Sequence, residues 1–146
     1  MNVRRNLLLA VTAATFLAIA ACSSGATATP TSATTTVNVT LGEWTVVPSR
    51  TSVNAGATTF AAQNDGALEH ELIVLKTDRA HDALVVAEGK VDEAASGTLS
   101  GEIEPDELQP RQSASAGWDL ESGKYVLFCN IVGHYSLGMH AAFTVN

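Results

Sequence analysis

Cys129-Asn130-Ile131-Val132-Gly133-His134-Tyr135-Ser136-Leu137-Gly138-Met139 is the stretch whose reading decides the fold. It lies between two strand-like runs, Tyr125 to Cys129 and Ala141 to Val145, the second with Phe143 and Val145 on one face. A thiol, an imidazole and a thioether therefore share one short loop, spaced Cys-x4-His-x4-Met. Gly133 precedes the histidine and Gly138 the methionine. Residues without a Cβ let the backbone bend so that all three side chains aim at one point.

The chain on either side reads as more strands. Glu121-Ser122-Gly123-Lys124 is a hairpin turn, and before it Ala114, Ala116, Trp118 and Leu120 alternate with polar or small residues. Val37, Val39 and Leu41 alternate in the same way, and Trp44 to Val47 continues or pairs with that strand as far as Pro48. Asn54-Ala55-Gly56 and Asn64-Asp65-Gly66 are turns flanking an alternating run through Thr58, Phe60 and Ala62. Leu72-Ile73-Val74-Leu75 is apolar on both faces, as a central strand would be. Residues 77–110 hold most of the acids, and Pro105 and Pro110 argue against a continuous strand there. A long connection outside the sheets is expected, with short helix over Ala80 to Ala87 or Val91 to Ala95. About seven short strands in roughly 110 residues predict an all-β fold, an antiparallel β-sandwich with Greek-key connections.

Thiolate, imidazole and thioether together suit a soft, redox-active metal, and copper is the first candidate. A second histidine is needed, and His70 is best placed, just after a turn and at the start of a strand. Two imidazoles and a thiolate in a plane, with a weak axial thioether, make an electron-transfer site: sulfur stabilises Cu(I) and the imidazoles satisfy Cu(II). No glycine-rich phosphate loop and no Ser/His/Asp arrangement is visible, and only His81 and His140 are spare for a substrate-binding metal. The protein is therefore read as no enzyme.

Three pieces of this chain resemble the cupredoxins, the small blue-copper proteins. Asn64-Asp65-Gly66-Ala67-Leu68-Glu69-His70 is similar to the family's Asn-x-Gly-x-x-x-His approach to its first ligand. Leu120-Glu121-Ser122-Gly123-Lys124-Tyr125 resembles the turn into its ligand strand, and Cys129 to Met139 its ligand loop, with a spacing closest to rusticyanin- and sulfocyanin-like members. The resemblance implies that His70, Cys129, His134 and Met139 hold one mononuclear type 1 copper ion. It also implies that electrons leave by the His134 edge. Many cupredoxins carry Asn after the first histidine to brace the cysteine loop; here Glu71 stands there, so Asn130 or the turn at Asn64 is expected to brace instead.

The N-terminus has its own logic. Arg4 and Arg5 precede an apolar run from Leu7 to Ala20, too short to span a membrane, which reads as an export signal over residues 1–21. Ile19-Ala20-Ala21-Cys22 resembles a bacterial lipobox, implying a lipid on Cys22. After Cys22, residues 23–36 are Ser, Thr, Ala and Gly with Pro30 and no charge, so 22–36 reads as a tether unable to build a core, leaving 37–146 as the folded domain. With Cys22 lipidated, Cys129 has no internal disulfide partner, which favours its reading as a metal ligand. Removing the signal takes away two arginines and no acid, leaving six basic against fifteen acidic residues, a formal charge of −9. Such a surface excludes nucleic acid and favours a basic docking face on a protein partner.

Together these readings predict an extracytoplasmic, membrane-tethered carrier of single electrons. Its partners would be redox proteins such as a cytochrome or a membrane oxidase or reductase. A copper storage or delivery lipoprotein would use the same ligands. Ile131, Val132, Tyr135 and Leu137 are expected to exclude water from the site and to offer an apolar docking patch. His140, next to Met139, should point to the opposite face of its strand and miss the metal. His81, Glu69 and Glu71 read as solvated, and Trp44 and Trp118 as sandwich core.

Overall fold

A computed structural model describes residues 34–146. The expected signal over 1–21, the lipidation at Cys22 and the tether as far as residue 33 lie outside the described residues. In chain order the strands are β1 (Thr35–Gly42), β2 (Thr45–Pro48), β3 (Ser52–Val53), β4 (Gly56–Asn64), β5 (Leu72–Lys76), β6 (Val86–Ala87) and β7 (Lys90–Val91). A single helical turn, α1 (Glu93–Ser96), precedes β8 (Thr98–Ile103), β9 (Ser113–Leu120), β10 (Gly123–Phe128) and β11 (His140–Val145). Regular structure thus begins at Thr35, two residues ahead of the expected boundary, within the usual uncertainty of strand ends.

Two sheets face each other. One has the order β2-β1-β4-β9 and the other β3-β11-β10-β5-β8. The sandwich is the one that alternation predicts, with two parallel pairings in it, β1 with β4 and β3 with β11. The reason is the route of the chain. After β2 it leaves the first sheet, adds β3 to the edge of the second, and returns as β4 running the same way as β1. A parallel neighbour needs such a crossover, which a tight hairpin cannot supply.

The core lies where the alternating residues meet. Val37, Val39, Leu41, Phe60 and Ala62 from one sheet pack with Leu72, Val74, Leu127, Phe143 and Val145 from the other. Phe60 and Phe143 meet edge to face, with ring centroids 5.6 Å apart. Burying each such large apolar side chain contributes about 1.5–3 kcal/mol. Ile73 and Leu75 point the other way, into a second cluster with Leu84, Val91, Val126, Phe128 and Tyr135. The long connection covers this outer face, which is why Leu72 to Leu75 reads as apolar throughout.

The connection itself differs from expectation. No helix forms over 80–87; β6 and β7 make a small hairpin instead. Its two turn residues, Glu88 and Gly89, both have positive φ (52° and 81°), the condition for a tight two-residue hairpin. The helix expected over 91–95 shrinks to α1, whose first turn is capped by the Asp92 carboxylate accepting from the Ala95 N–H at 3.0 Å. Strand β8 was not expected. Its inward positions are Gly101 and Ile103, and a glycine erases half of the alternation. The glycine is required because the Trp118 ring occupies the place a Cβ would take. Trp118 thereby closes the sandwich between the edge strands β8 and β9.

Candidate metal centre

Strand β10 delivers Cys129 to the end of the sandwich, where the Cys129 N–H donates to the Met139 carbonyl at 3.1 Å and closes the neck of the loop. Within the loop the His134 N–H donates to Ile131 O (2.9 Å), the Leu137 N–H to Gly133 O (3.1 Å) and the Met139 N–H to His134 O (3.2 Å). The Leu137 N–H to His134 O (3.2 Å) and Gly138 N–H to Tyr135 O (3.0 Å) bonds wind the loop into one 3-10 turn, Tyr135–Leu137. Gly133 and Gly138 have φ of 85° and 118°, a region that L side chains rarely adopt, so the two glycines are conformationally required. Met139 is fully buried and belongs to the same core cluster as Cys129.

The approach to His70 is fixed by Asn64. Its side-chain amide donates to the carbonyls of Leu68 (2.7 Å) and Leu108 (2.8 Å), and its Oδ1 accepts from the Gly66 N–H (2.8 Å). The expected brace at Asn130 is also present. Its Oδ1 accepts from the Val91 N–H at 2.6 Å, and its Nδ2 donates to Val91 O (3.1 Å) and Glu93 Oε1 (2.9 Å). Both asparagines hold the site by satisfying backbone groups that would otherwise be buried unpaired.

The ring nitrogens and the sulfur converge. His70 Nδ1 lies 3.3 Å from His134 Nδ1, and Cys129 Sγ lies 3.3 Å from the same His134 atom. The donor atoms of His70, Cys129 and His134 all lie within 4.8 Å of one another, and all three residues are buried. Two nitrogens bound to one ion at about 2.0–2.1 Å, at a tetrahedral angle, would stand about 3.3 Å apart. The residues present therefore fit a shared metal ion.

Burial sets the protonation states. It pushes the Cys129 thiol up to about 11, against the Glu71 and Ile131 N–H groups that favour the thiolate. Both site histidines are pulled below the ordinary imidazole value, first by burial and, for His70, also by the neighbouring His134. Neutral imidazoles with free lone pairs are the ligand form. A bound cation would reverse the thiol's preference, since a coordinating thiol loses its proton. The Glu71 N–H, 3.5 Å from Cys129 Sγ, is in place to support that charge.

Three residues carry roles the sequence reading missed. Glu43 Oε1 accepts from the N–H groups of Ala67 (2.8 Å) and Leu68 (2.9 Å) and lies 3.6 Å from the buried, otherwise unpartnered Nε2 of His70. The same two N–H groups, Leu68's first, hold its carboxyl below the usual range. Gly66 makes this approach possible, because a Cβ there would come within 2.9 Å of His70 Nε2. Trp44 packs against the core but also sets its ring edge-on to His134, with centroids 5.1 Å apart. No spacing rule pointed to Glu43 or Trp44, which arrive from the turn between β1 and β2.

Two expectations need correction. Glu71 is not solvated: it is 5 % exposed, one carboxylate oxygen has no partner, and burial raises its pKa to about 7. It follows His70 into β5 and is carried beneath the connection. His81 is half-buried rather than solvated, and pairs with His140, Nδ1 to Nδ1, at 2.8 Å. Val132 (64 %) and Leu137 (56 %) on the ligand loop, and Leu68 (46 %) two residues before His70, are exposed.

The pattern that defines the sulfocyanin (SoxE) domain matches residues 8–146. Among solved structures, the chain is similar to dithionite-reduced auracyanin from the photosynthetic bacterium Roseiflexus castenholzii, with 20% identity and a TM-score of 0.57, covering 78% of this chain and 98% of that one. It is also similar to auracyanin A, described as a "blue" copper protein, from Chloroflexus aurantiacus (19% identity, TM-score 0.54, 78% and 100% covered). Rusticyanin from Thiobacillus ferrooxidans is a further likeness (15% identity, TM-score 0.52, 77% of each chain covered). Likeness at these identities shows a shared fold. No curated protein matches the sequence.

Proposed function

We propose that this chain, which belongs to the sulfocyanin (SoxE) domain family, is an extracytoplasmic electron carrier in which His70, Cys129, His134 and Met139 hold one mononuclear copper ion. The observation that carries the reading is the convergence of two imidazole nitrogens and a buried thiol from two distant stretches; the Met139 thioether, on the same loop, is buried as well. Copper, when bound, supplies a one-electron couple between Cu(I) and Cu(II).

The protein's own residues do the rest. Cys129 gives up its proton on binding, and the Glu71 N–H stabilises the resulting sulfur charge. Glu43 orients His70 through the Nε2 edge, as outer partners of ligating histidines do. Asn64 and Asn130 keep the donors from moving when the charge of the site changes, which keeps reorganisation small. Burial of all four donors excludes water. Val132 and Leu137 flank His134 on its loop and Leu68 precedes His70; all three are exposed and would form an apolar rim on an acidic protein. This rim suits brief docking of a redox protein with a basic face. The lipobox-like Ile19-Ala20-Ala21-Cys22 supports attachment to a membrane by lipid, with the following Ser/Thr/Ala stretch as a tether. No helix among the described residues is long and apolar enough to cross a membrane.

The visible spectrum of purified, copper-loaded protein tests this. An intense thiolate-to-Cu(II) band is expected, lost on reduction and in Cys129→Ser. A colourless copper complex would overturn the reading. Reversible one-electron cycling with a cytochrome supports carriage, whereas ready surrender of Cu(I) to a chelator would favour delivery.

A further inference from the structure

His81 and His140 belong to different parts of the chain, a turn of the long connection and the first residue of β11, yet their Nδ1 atoms stand 2.8 Å apart. Tyr135 contacts both residues, the backbone of one and the ring of the other. Its hydroxyl donates to the His81 carbonyl (2.8 Å) and accepts from the Leu84 N–H (3.0 Å), while its ring lies against His140 with centroids 4.9 Å apart. Tyr135 is itself buried, so the pair is built into the fold rather than formed by two free surface side chains.

We propose that His81 and His140 form a second metal site, for a divalent ion that prefers tetragonal nitrogen coordination, Cu(II) or Ni(II). The separation of the nitrogens matches that class. Two nitrogens about 2.0 Å from one ion stand about 2.8 Å apart at a right angle and about 3.3 Å apart at a tetrahedral angle. The His70–His134 pair has the larger spacing, 3.3 Å, and the His81–His140 pair the smaller, 2.8 Å. Right-angled nitrogen sites suit Cu(II) and Ni(II) more than Zn(II). Asp82, next to His81, is near enough for its charge to be felt at His140, and adds the negative charge a dication favours. Both rings keep some exposure, which leaves the remaining positions of the ion to water. The site is separate from the first: Cys129 and Met139 belong to the inner core cluster, whereas Tyr135, against which His140 packs, belongs to the outer one.

The competing arrangement is a single proton shared between the two rings, which has the same spacing. Calorimetric titration of Ni(II) into the copper-loaded, oxidised full chain separates them. One further equivalent is expected to bind, at least tenfold more weakly in His81→Gln and in His140→Gln, with the intense band of the first site unchanged. The Ni(II) equivalent should persist in Cys129→Ser, so failure of the first site and failure of the second are read apart. A second equivalent of Cu(II) should add an electron paramagnetic resonance signal with nitrogen splittings, absent in His81→Gln. No additional equivalent, binding indifferent to both substitutions, or tighter binding of Zn(II) than of Ni(II) would overturn the proposal. His81→Gln lies in a turn outside the sheets and keeps the test open should His140→Gln fail to fold.

Discussion

Glu71→Gln should stabilise the metal-free protein by an amount that depends on pH. Glu71 is 5 % exposed, and one of its carboxylate oxygens lies within 4.8 Å of one from Glu102 and one from Glu104. Burial is the main force raising its pKa from 4.5 to about 7; the Asn130 N–H and Lys90 oppose it, while Glu102 and Glu93 add to it. A rise from 4.5 to about 7, at about 1.36 kcal/mol per pH unit, amounts to about 3 kcal/mol. The sign follows from proton counts. Below pH 4.5 Glu71 is protonated folded or unfolded and costs nothing. Between 4.5 and about 7 the folded form keeps a proton that the unfolded form has lost, so stability falls as pH rises. Above about 7 the full cost is present. Glutamine, neutral throughout, avoids it. Urea unfolding of both proteins should show nearly equal stability at pH 4.5 and a gap approaching about 3 kcal/mol at pH 8. A gap of the same size at both pH values would refute the argument, as would a wild type more stable than the variant at pH 8.

Other substitutions probe the frame around the site. Gly101→Ala forces a methyl into the Trp118 ring and should cost about 1–3 kcal/mol by chemical denaturation; Trp118→Ala in the same chain should remove most of that penalty. Phe60→Ala, in the centre of the sandwich, should cost about 3–5 kcal/mol in the same assay. Asn130→Ala strands the buried Val91 N–H and should lower stability by about 1–3 kcal/mol. Glu43→Ala leaves the folded core intact but frees the His70 ring; copper affinity measured by chelator competition should fall by about 10–100-fold.

Much of this was legible in the sequence because period-two alternation is a strong signal wherever one face meets the core. Val37 to Leu41, Thr58 to Ala62 and Ala114 to Leu120 all became strands in that register. Strand β8 was hidden because Gly101 stands where an apolar residue would have marked the inward face. The β6–β7 hairpin was hidden because Glu88 adopts positive φ, which its residue type does not announce. At the site, spacing and donor chemistry brought His70, Cys129 and His134 together on paper as they stand in space. Glu43 and Trp44 escaped because their roles depend on how the β1–β2 turn folds over the loop, a contact between elements that no local pattern encodes. Glu71 was misread because a carboxylate's default is water; only the layer laid over it by the connection makes the position dry.

The β6–β7 hairpin touches the ligand loop at two points: Gly89 O accepts from the Gly133 N–H at 2.8 Å, and Val91 exchanges two hydrogen bonds with Asn130. The stiffness of the loop is therefore borrowed, in the Asn130 contact, from chain 39 residues upstream. A transplant of residues 129–139 into another sandwich would carry the donors and leave their splint behind. In this protein, edits to the hairpin are a handle on how firmly the donors are held, with every one of them left as it is.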